Sequence, residues 1–228
     1  MRTLAVGDIH GASAALDALL AVVKPTPDDL LVFLGDYVDR GPDTRGVLDR
    51  LIRLQQTHRV VCLRGNHELM MTRARHDRGE LRMWLSVGGA EAIQSYTGTH
   101  RQNWQEVIPA EHWAFLEEGL VDFYQTRTHI FVHANLYPEH TLEDQPELML
   151  FWEFLSAPVR HVSGKVMVCG HSTQRGGVPK AWPTTVCIDT GAYHPGGWLT
   201  CLDLGSQKYW QANQRGETRA GHLEEEAD

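Results

Sequence analysis

The chain has 228 residues, 42% apolar and 22% charged, enough to bury a sizeable core in one large domain or two small ones. Its net charge of -8 argues against a general nucleic-acid or membrane-surface binder, since both need a basic face. Met1-Arg2-Thr3 runs straight into a strand-like stretch, so neither a targeting leader nor a membrane-spanning segment is expected.

Leu4-Ala5-Val6 reads as a short strand ending at Gly7-Asp8-Ile9-His10-Gly11. Ser13 is the expected cap of a helix with Leu16, Leu19, Leu20 and Val23 at helical spacing, and Lys24-Pro25-Thr26-Pro27 stops it. Residues 31–34 form a second, buried strand that enters Gly35-Asp36-Tyr37-Val38-Asp39-Arg40-Gly41. Pro42 is expected to open a helix carrying Val47, Leu48, Leu51, Ile52 and Leu54. Residues 60–63 are a third strand, ending at Arg64-Gly65-Asn66-His67-Glu68. Three strand–loop–helix units of this kind predict an α/β fold with a parallel sheet covered by helices. Their polar clusters lie at the carboxyl ends of the strands, where ligand chemistry collects in open α/β sheets.

Residues 69 to about 119 read as a helical insertion, with Trp84, Trp104 and Trp113 as packing and Gly88-Gly89 as a break. Beyond Gly119, short strands are expected at 121–125, 129–133, 165–169, 185–188, 199–204 and 208–212, forming a second, mixed or antiparallel sheet. Residues 135–158 read mostly as loop, with an amphipathic piece near 148–155. The expected organisation is one domain over residues 1–215 and an acidic, flexible tail over 216–228. Cys62, Cys169, Cys187 and Cys201 stand singly in apolar runs with no CxxC spacing. Buried reduced thiols in a cytoplasmic protein are expected, rather than disulfides or a zinc site.

Asp8, His10, Asp36, Asn66, His133 and His171 each follow an apolar run. Carboxylate oxygens, imidazole nitrogens and an amide oxygen are the mixed donor set that Mn, Fe or Zn takes. Six such groups exceed what one ion needs from protein and suit two ions sharing a bridging carboxylate. Any one of them alone is more often structural. Six at the ends of five successive strands form a pattern.

Gly7-Asp8-x-His10-Gly11, Gly35-Asp36-x-x-Asp39-Arg40-Gly41 and Gly65-Asn66-His67-Glu68, followed by His133-Ala134 and Gly170-His171, resemble the five signature motifs of the phosphoprotein phosphatase branch of binuclear metallophosphoesterases. The bacterial serine/threonine phosphatases are the members it looks most like. The resemblance extends from residue 2 to about 212. It implies a four-layer α/β/β/α sandwich of two mixed sheets with flanking helices. It further implies two divalent ions, manganese first and Fe, Zn or Ni as alternatives. Asp8 and His10 would hold the first ion, Asp36 would bridge, and Asn66, His133 and His171 would complete the second. A metal-bridging hydroxide would then attack phosphorus directly. His67 would be the general acid, Asp39 would orient it, Arg40 would clamp phosphate bidentately, and Asn66 would also touch a phosphate oxygen.

One departure from the family pattern concerns substrate. Bacterial members carry a second phosphate-binding arginine two residues after a tryptophan, and here Trp152 is followed by Glu153-Phe154. Losing one clamp arginine weakens phosphate binding by roughly 1.5–3 kcal/mol. Arg160 is either its substitute or a solvated surface residue, the latter being favoured. Glu68 and Arg64 are read as structural or supporting residues, and Tyr193 as a substrate contact or a packing residue. His58, His76, His100, His112, His129, His140, His161, His194 and His222 are read as having no chemical role.

The leading expectation is a phosphomonoesterase of phosphoserine or phosphothreonine proteins, or of small phosphate esters. A bis(5'-nucleosyl)-tetraphosphatase-like nucleotide hydrolase is the alternative. A phosphodiesterase is less favoured, because His67 and Arg40 suit monoesters and anhydrides. A silent binding module should have lost a ligand or His67, and none is lost.

Overall fold

The computed structural model describes residues 1–98 and 103–224, so His100 and the tail residues 225–228 lie outside the described residues. The first half runs β1 (Thr3–Val6), α1 (Ser13–Val23), β2 (Leu30–Phe33), α2 (Thr44–Thr57) and β3 (Arg59–Cys62). It continues through α3 (Asn66–Ala74), α4 (Arg78–Trp84), a π-helical turn (Leu85–Gly89), α5 (Ala90–Thr97), α6 (Trp104–Val107) and α7 (Ala110–Glu118). The second half is β4 (Phe123–Gln125), β5 (His129–Val132), α8 (Glu147–Phe151), β6 (Val166–Cys169), β7 (Lys180–Trp182), β8 (Thr185–Cys187), β9 (Leu199–Asp203), β10 (Lys208–Ala212) and β11 (Thr218–His222).

Two mixed sheets stack face to face, one ordered β11-β10-β9-β1-β2-β3 and the other β4-β5-β6-β8-β7. Strand alternation sorts the apolar residues into layers. Leu4, Val6, Leu31 and Phe33 point to the helical layer and pack with Leu16, Leu19, Val47, Leu48 and Leu51 of α1 and α2. Ala5 and Val32 point the other way and meet Phe131, Val168 and Val186 of the second sheet. The outer face of that sheet, Ile130, Val132, Met167 and Cys169, is covered by Leu69, Leu142, Leu150 and Phe151. Because both faces of the central strands are buried, they read as unbroken apolar runs.

Several expectations need correction. The strands after residue 119 do not build one sheet. β9 joins β1 antiparallel, with Val6 opposite Cys201, and β10 and β11 follow it. β11 occupies part of the stretch expected to be a flexible tail, with Lys208 opposite His222. It and β7 were not expected as strands. Ser13 does not cap α1: it is the first helical residue, and its hydroxyl donates to Asp43 Oδ2 at 2.6 Å. Asp43, rather than Pro42, sets the start of α2, accepting from the Gly46 amide at 2.9 Å, since a carboxylate can satisfy an orphan amide and proline cannot. His112 also has partners. It is buried on α7, with Nδ1 2.7 Å from the Tyr96 hydroxyl and Nε2 3.0 Å from Asp49.

Candidate active site

The carboxyl ends of β1, β2 and β3 in one sheet, and of β5 and β6 in the other, converge on Asp36. His10, Asp36, Asp39, Arg40 and His171 all take positive φ, between 46° and 73°. This left-handed conformation costs free energy for most side chains and collects at functional sites. Gly35, at φ 103°, lets the strand ends approach: a Cβ there would lie 2.7 Å from the Gly65 amide nitrogen and 2.9 Å from His133 Nδ1.

Three of the histidines around Asp36, His10, His133 and His171, have one ring nitrogen held by a backbone carbonyl. His10 Nδ1 is 3.0 Å from Val38 O, His133 Nδ1 is 2.8 Å from Leu34 O, and His171 Nε2 is 3.2 Å from Trp152 O. The carbonyl fixes the proton on that nitrogen and leaves the other nitrogen a lone pair facing the cluster. His10 Nε2 is 3.3 Å from Asp36 Oδ2, and His133 Nε2 is 3.4 Å from Asp36 Oδ1 and 3.0 Å from Asn66 Oδ1.

Two donor groups small enough to hold a cation therefore share Asp36. One is His10, Asp36 and His67; the other is Asp36, His133 and His171. Asp8 lies outside both close groups. Its Oδ2 accepts from the His171 amide at 3.0 Å, and its buried Oδ1 has no partner. Burial, then the charges of Asp189 and Asp36, push Asp8 well above the usual carboxylate range. Burial acts on Asp36 in the same direction, but His133, His67 and His10 outweigh it and hold that group well below its ordinary value. A buried set of carboxylates with an orphaned oxygen and histidine lone pairs aimed inward fits divalent cations, which supply the missing compensation. A third group, Asp49, Glu111 and His112, was not expected. Both nitrogens of His112 are already engaged there, so the group reads as a helix-to-helix tie.

His67 and Asp39 form a buried pair, Nδ1 to Oδ2 at 2.6 Å, and the Trp84 indole donates to the same oxygen at 2.7 Å. Burial lowers His67 to about 4 and raises Asp39 well above normal, while the indole donor pulls Asp39 back down. Trp84 is thus more than packing. Its partner lies 45 residues away, and no local pattern signals that contact. Glu68, read as supporting, accepts the amides of Asp36 (2.9 Å), Tyr37 (2.7 Å), Val38 (3.2 Å) and Gly65 (2.9 Å), and so shapes the Asp36 loop. Gly88, read only as a break, carries Arg40: its carbonyl accepts the Arg40 amide at 3.1 Å, and a Cβ on it would lie 2.6 Å from Arg40 Cγ.

A cavity of about 300 Å³ opens over the cluster, lined by Asp36, Arg40, Asn66, His67 and His171 together with Trp152, Phe154, Thr173 and Tyr193. Arg40 Nη1 reaches within 2.9 Å of His10 Nε2, and its guanidinium lies 4.7 Å from the Tyr193 ring centre. Phe154 stacks on His171, with ring centres 4.7 Å apart and planes at 25°. Arg160 lines a separate cavity with His161 and Lys165 and does not take the place of the missing arginine. A larger groove of about 790 Å³ adjoins the site, sharing Phe154 and Thr173 and including Arg175 and His194.

Two stacked mixed sheets with an aspartate shared between two histidine-rich donor groups at the strand ends define a metallophosphoesterase. The chain belongs to the calcineurin-like phosphoesterase family, whose profile matches residues 1–202. It is 34% identical over 156 residues to serine/threonine-protein phosphatase 1 of Salmonella typhimurium, covering 64% of this chain and 63% of that protein. It is 30% identical over 149 residues to the symmetrical bis(5'-nucleosyl)-tetraphosphatase of Pseudomonas putida strain F1, covering 65% of this chain and 47% of that protein. The chain thus spans less than two thirds of the length of these relatives. Among solved structures, a protein serine/threonine phosphatase from Saccharomyces cerevisiae superposes with a TM-score of 0.65 over all of this chain and 82% of that one, at 16% identity. A cold-active protein-tyrosine phosphatase of a psychrophilic Shewanella gives 0.64 over 96% and 80%, at 17% identity. Both share the fold. Among the described residues, no helix is long and apolar enough to cross a membrane.

Proposed function

We propose that this chain hydrolyses phosphate monoesters of serine and threonine in proteins, or closely related phosphate esters. In this reading Asp8, His10, Asp36, Asn66, His133 and His171 hold two divalent ions, with manganese the first choice for an oxygen-and-nitrogen site. When bound, the ions supply a hydroxide nucleophile near neutral pH by lowering the pKa of water. Arg40 offers a planar fork for two phosphate oxygens. Asn66 turns its Oδ1 toward His133, which leaves its amide N–H groups for a third phosphate oxygen. With Nδ1 held by Asp39, the protonated form of His67 would deliver its Nε2 proton to the leaving alkoxide. Asp39, steadied by Trp84, keeps that ring oriented.

The observation that carries the reading is Asp36 at the junction of two donor groups, beside a cavity lined by His67 and Arg40. A dinucleoside polyphosphate hydrolase is the second reading, favoured by the similarity to the Pseudomonas tetraphosphatase and by the adjoining groove. Lone buried thiols support a cytoplasmic setting. The test is turnover by metal-stripped protein, with Mn²⁺ restored, of a phosphoserine peptide and of diadenosine tetraphosphate, with His67→Asn alongside. Peptide turnover that the variant loses supports the first reading, and preference for the dinucleotide supports the second. Absence of both activities with any common divalent ion overturns both.

A further inference from the structure

Trp84 is fully buried, and a buried indole needs an acceptor for its N–H. The acceptor here is Asp39 Oδ2, at 2.7 Å, the same oxygen that lies 2.6 Å from His67 Nδ1. The other oxygen, Oδ1, is buried and has no partner among the described residues. Two groups thus converge on one oxygen of a carboxylate that offers two. The indole is a donor only, so Oδ2 is the accepting oxygen, and the hydrogen it shares with His67 sits on Nδ1. Nε2 is then the nitrogen left to load and deliver a proton.

The indole is itself held firmly. It packs against Trp104, with ring centres 4.9 Å apart, and Trp104 packs against Trp113 at 5.7 Å. A Cβ on Gly89 would collide with the Trp84 ring, so the π-helical turn closes over the indole without a side chain. The same turn holds the neighbour of Asp39: Gly88 O accepts the Arg40 amide at 3.1 Å, and Val87 O accepts from Arg40 Nε at 3.4 Å. Asp39 and Arg40 have left-handed backbone, with φ of 73° and 64°, a conformation that costs free energy and persists only where the surroundings impose it. Residues 84–88 brace both from one side.

We propose that Trp84 is a positioning residue for proton transfer: through Asp39 Oδ2 it fixes the His67 ring in its Nδ1–H tautomer, in the orientation from which Nε2 protonates a poor leaving group. This rests on the phosphomonoesterase reading, in which His67 is the general acid. The step balances as hydrolysis. Water's oxygen bonds to phosphorus, the bond from phosphorus to the leaving oxygen breaks, and the Nε2 proton goes to that oxygen. One proton of the water reloads the ring, and the phosphate keeps the other. A tryptophan that only packs would support folding and leave the balance between good and poor leaving groups untouched.

The test joins spectroscopy to kinetics. Nitrogen NMR of metal-free, histidine-labelled protein, with His67→Asn assigning the signals, reads which ring nitrogen carries the proton. The expected result is Nδ1 in the unmodified protein and exchange between the two tautomers in Trp84→Phe. In Mn²⁺-loaded protein, Trp84→Phe should lower kcat for phenyl phosphate about tenfold more than kcat for 4-nitrophenyl phosphate, whose leaving group needs little protonation. KM for both esters and the bound Mn²⁺ should stay as they are. In a His67→Asn background the same change should no longer shift the ratio of the two rates. Trp84→benzothienylalanine, which keeps the bicyclic shape and lacks the N–H, should reproduce the effect and separates loss of the donor from loss of packing. A proton on Nε2 in the unmodified protein, an equal loss on both esters, or a shift that persists without His67 overturns the proposal. If the unmodified protein turns over neither ester, the phosphomonoesterase reading fails, and the tautomer measurement alone decides the role of Trp84.

Discussion

The floor and the rim of the cavity are held in different ways. On the floor, His10, Asp36 and His133 are buried, each imidazole is tied to a carbonyl, and the Asp36 loop hangs by three amides, those of Asp36, Tyr37 and Val38, on the Glu68 carboxylate. On the rim, Arg40, Phe154 and Tyr193 are held by ring contacts and by the Gly88 turn. A floor this over-determined leaves no alternative arrangement, so a change there removes function rather than adjusting it. The rim has room to vary, and rim residues set what is bound and how tightly.

That contrast is broken most directly by Asp36→Asn, which keeps the shape and removes the shared charge. Turnover of any phosphate ester should fall below detection in steady-state assays, and substantial residual activity would show that the floor is less decisive than its geometry implies. His67→Asn should lower kcat by about 100- to 10,000-fold with metal content unchanged. Arg40→Ala should act mainly on KM, by about tenfold or more, with Arg40→Lys recovering part of the loss because a point charge replaces the fork; initial-rate kinetics separate the two parameters. A floor-like collapse of kcat in Arg40→Ala would erase the distinction.

Trp84→Phe leaves Asp39 without its indole donor. It should cost about 1.5–3 kcal/mol in urea denaturation, the range for a hydrogen bond to a charged group. Asp29 provides a control far from the chemistry. It accepts from the Arg2 amide, the Arg2 guanidinium and the Thr26 amide, and the Arg2 hydrogen bond holds it below the usual carboxylate range. A lowered folded-state pKa adds stability that is fully present above the unfolded value of about 3.9 and is lost as pH falls below it. Asp29→Asn should therefore destabilise by about 2 kcal/mol at pH 7 and by much less near pH 2, with kcat unchanged. Denaturation midpoints at the two pH values check the sign.

The floor was also the more legible region. Buried parallel strands leave an unbroken apolar run in sequence, and each run ends in the polar residues that converge on Asp36, so position along the chain served as a guide to position in space. The rim and its supports depend on contacts that no local pattern encodes. Trp84 reaches Asp39 across 45 residues, and Gly88 meets Arg40 only because the helical segment folds back over the sheet. The assignment of β9, β10 and β11 to the first sheet was hidden for the same reason, since short strands advertise their faces but not their partners. Even Asn66, His67 and Glu68, recognised as a strand-end motif, prove to be the first turn of α3, with Glu68 reaching back to the Gly65 amide.

The central claim is that two ions share Asp36. Calorimetric titration of metal-stripped protein with Mn²⁺ tests it, alongside His10→Ala and His133→Ala. The account predicts two ions per chain in the unmodified protein and one tightly bound ion in each variant, with low-temperature electron paramagnetic resonance showing spin coupling only when both sites are filled. One ion or none in the unmodified protein, or two uncoupled ions, would contradict it.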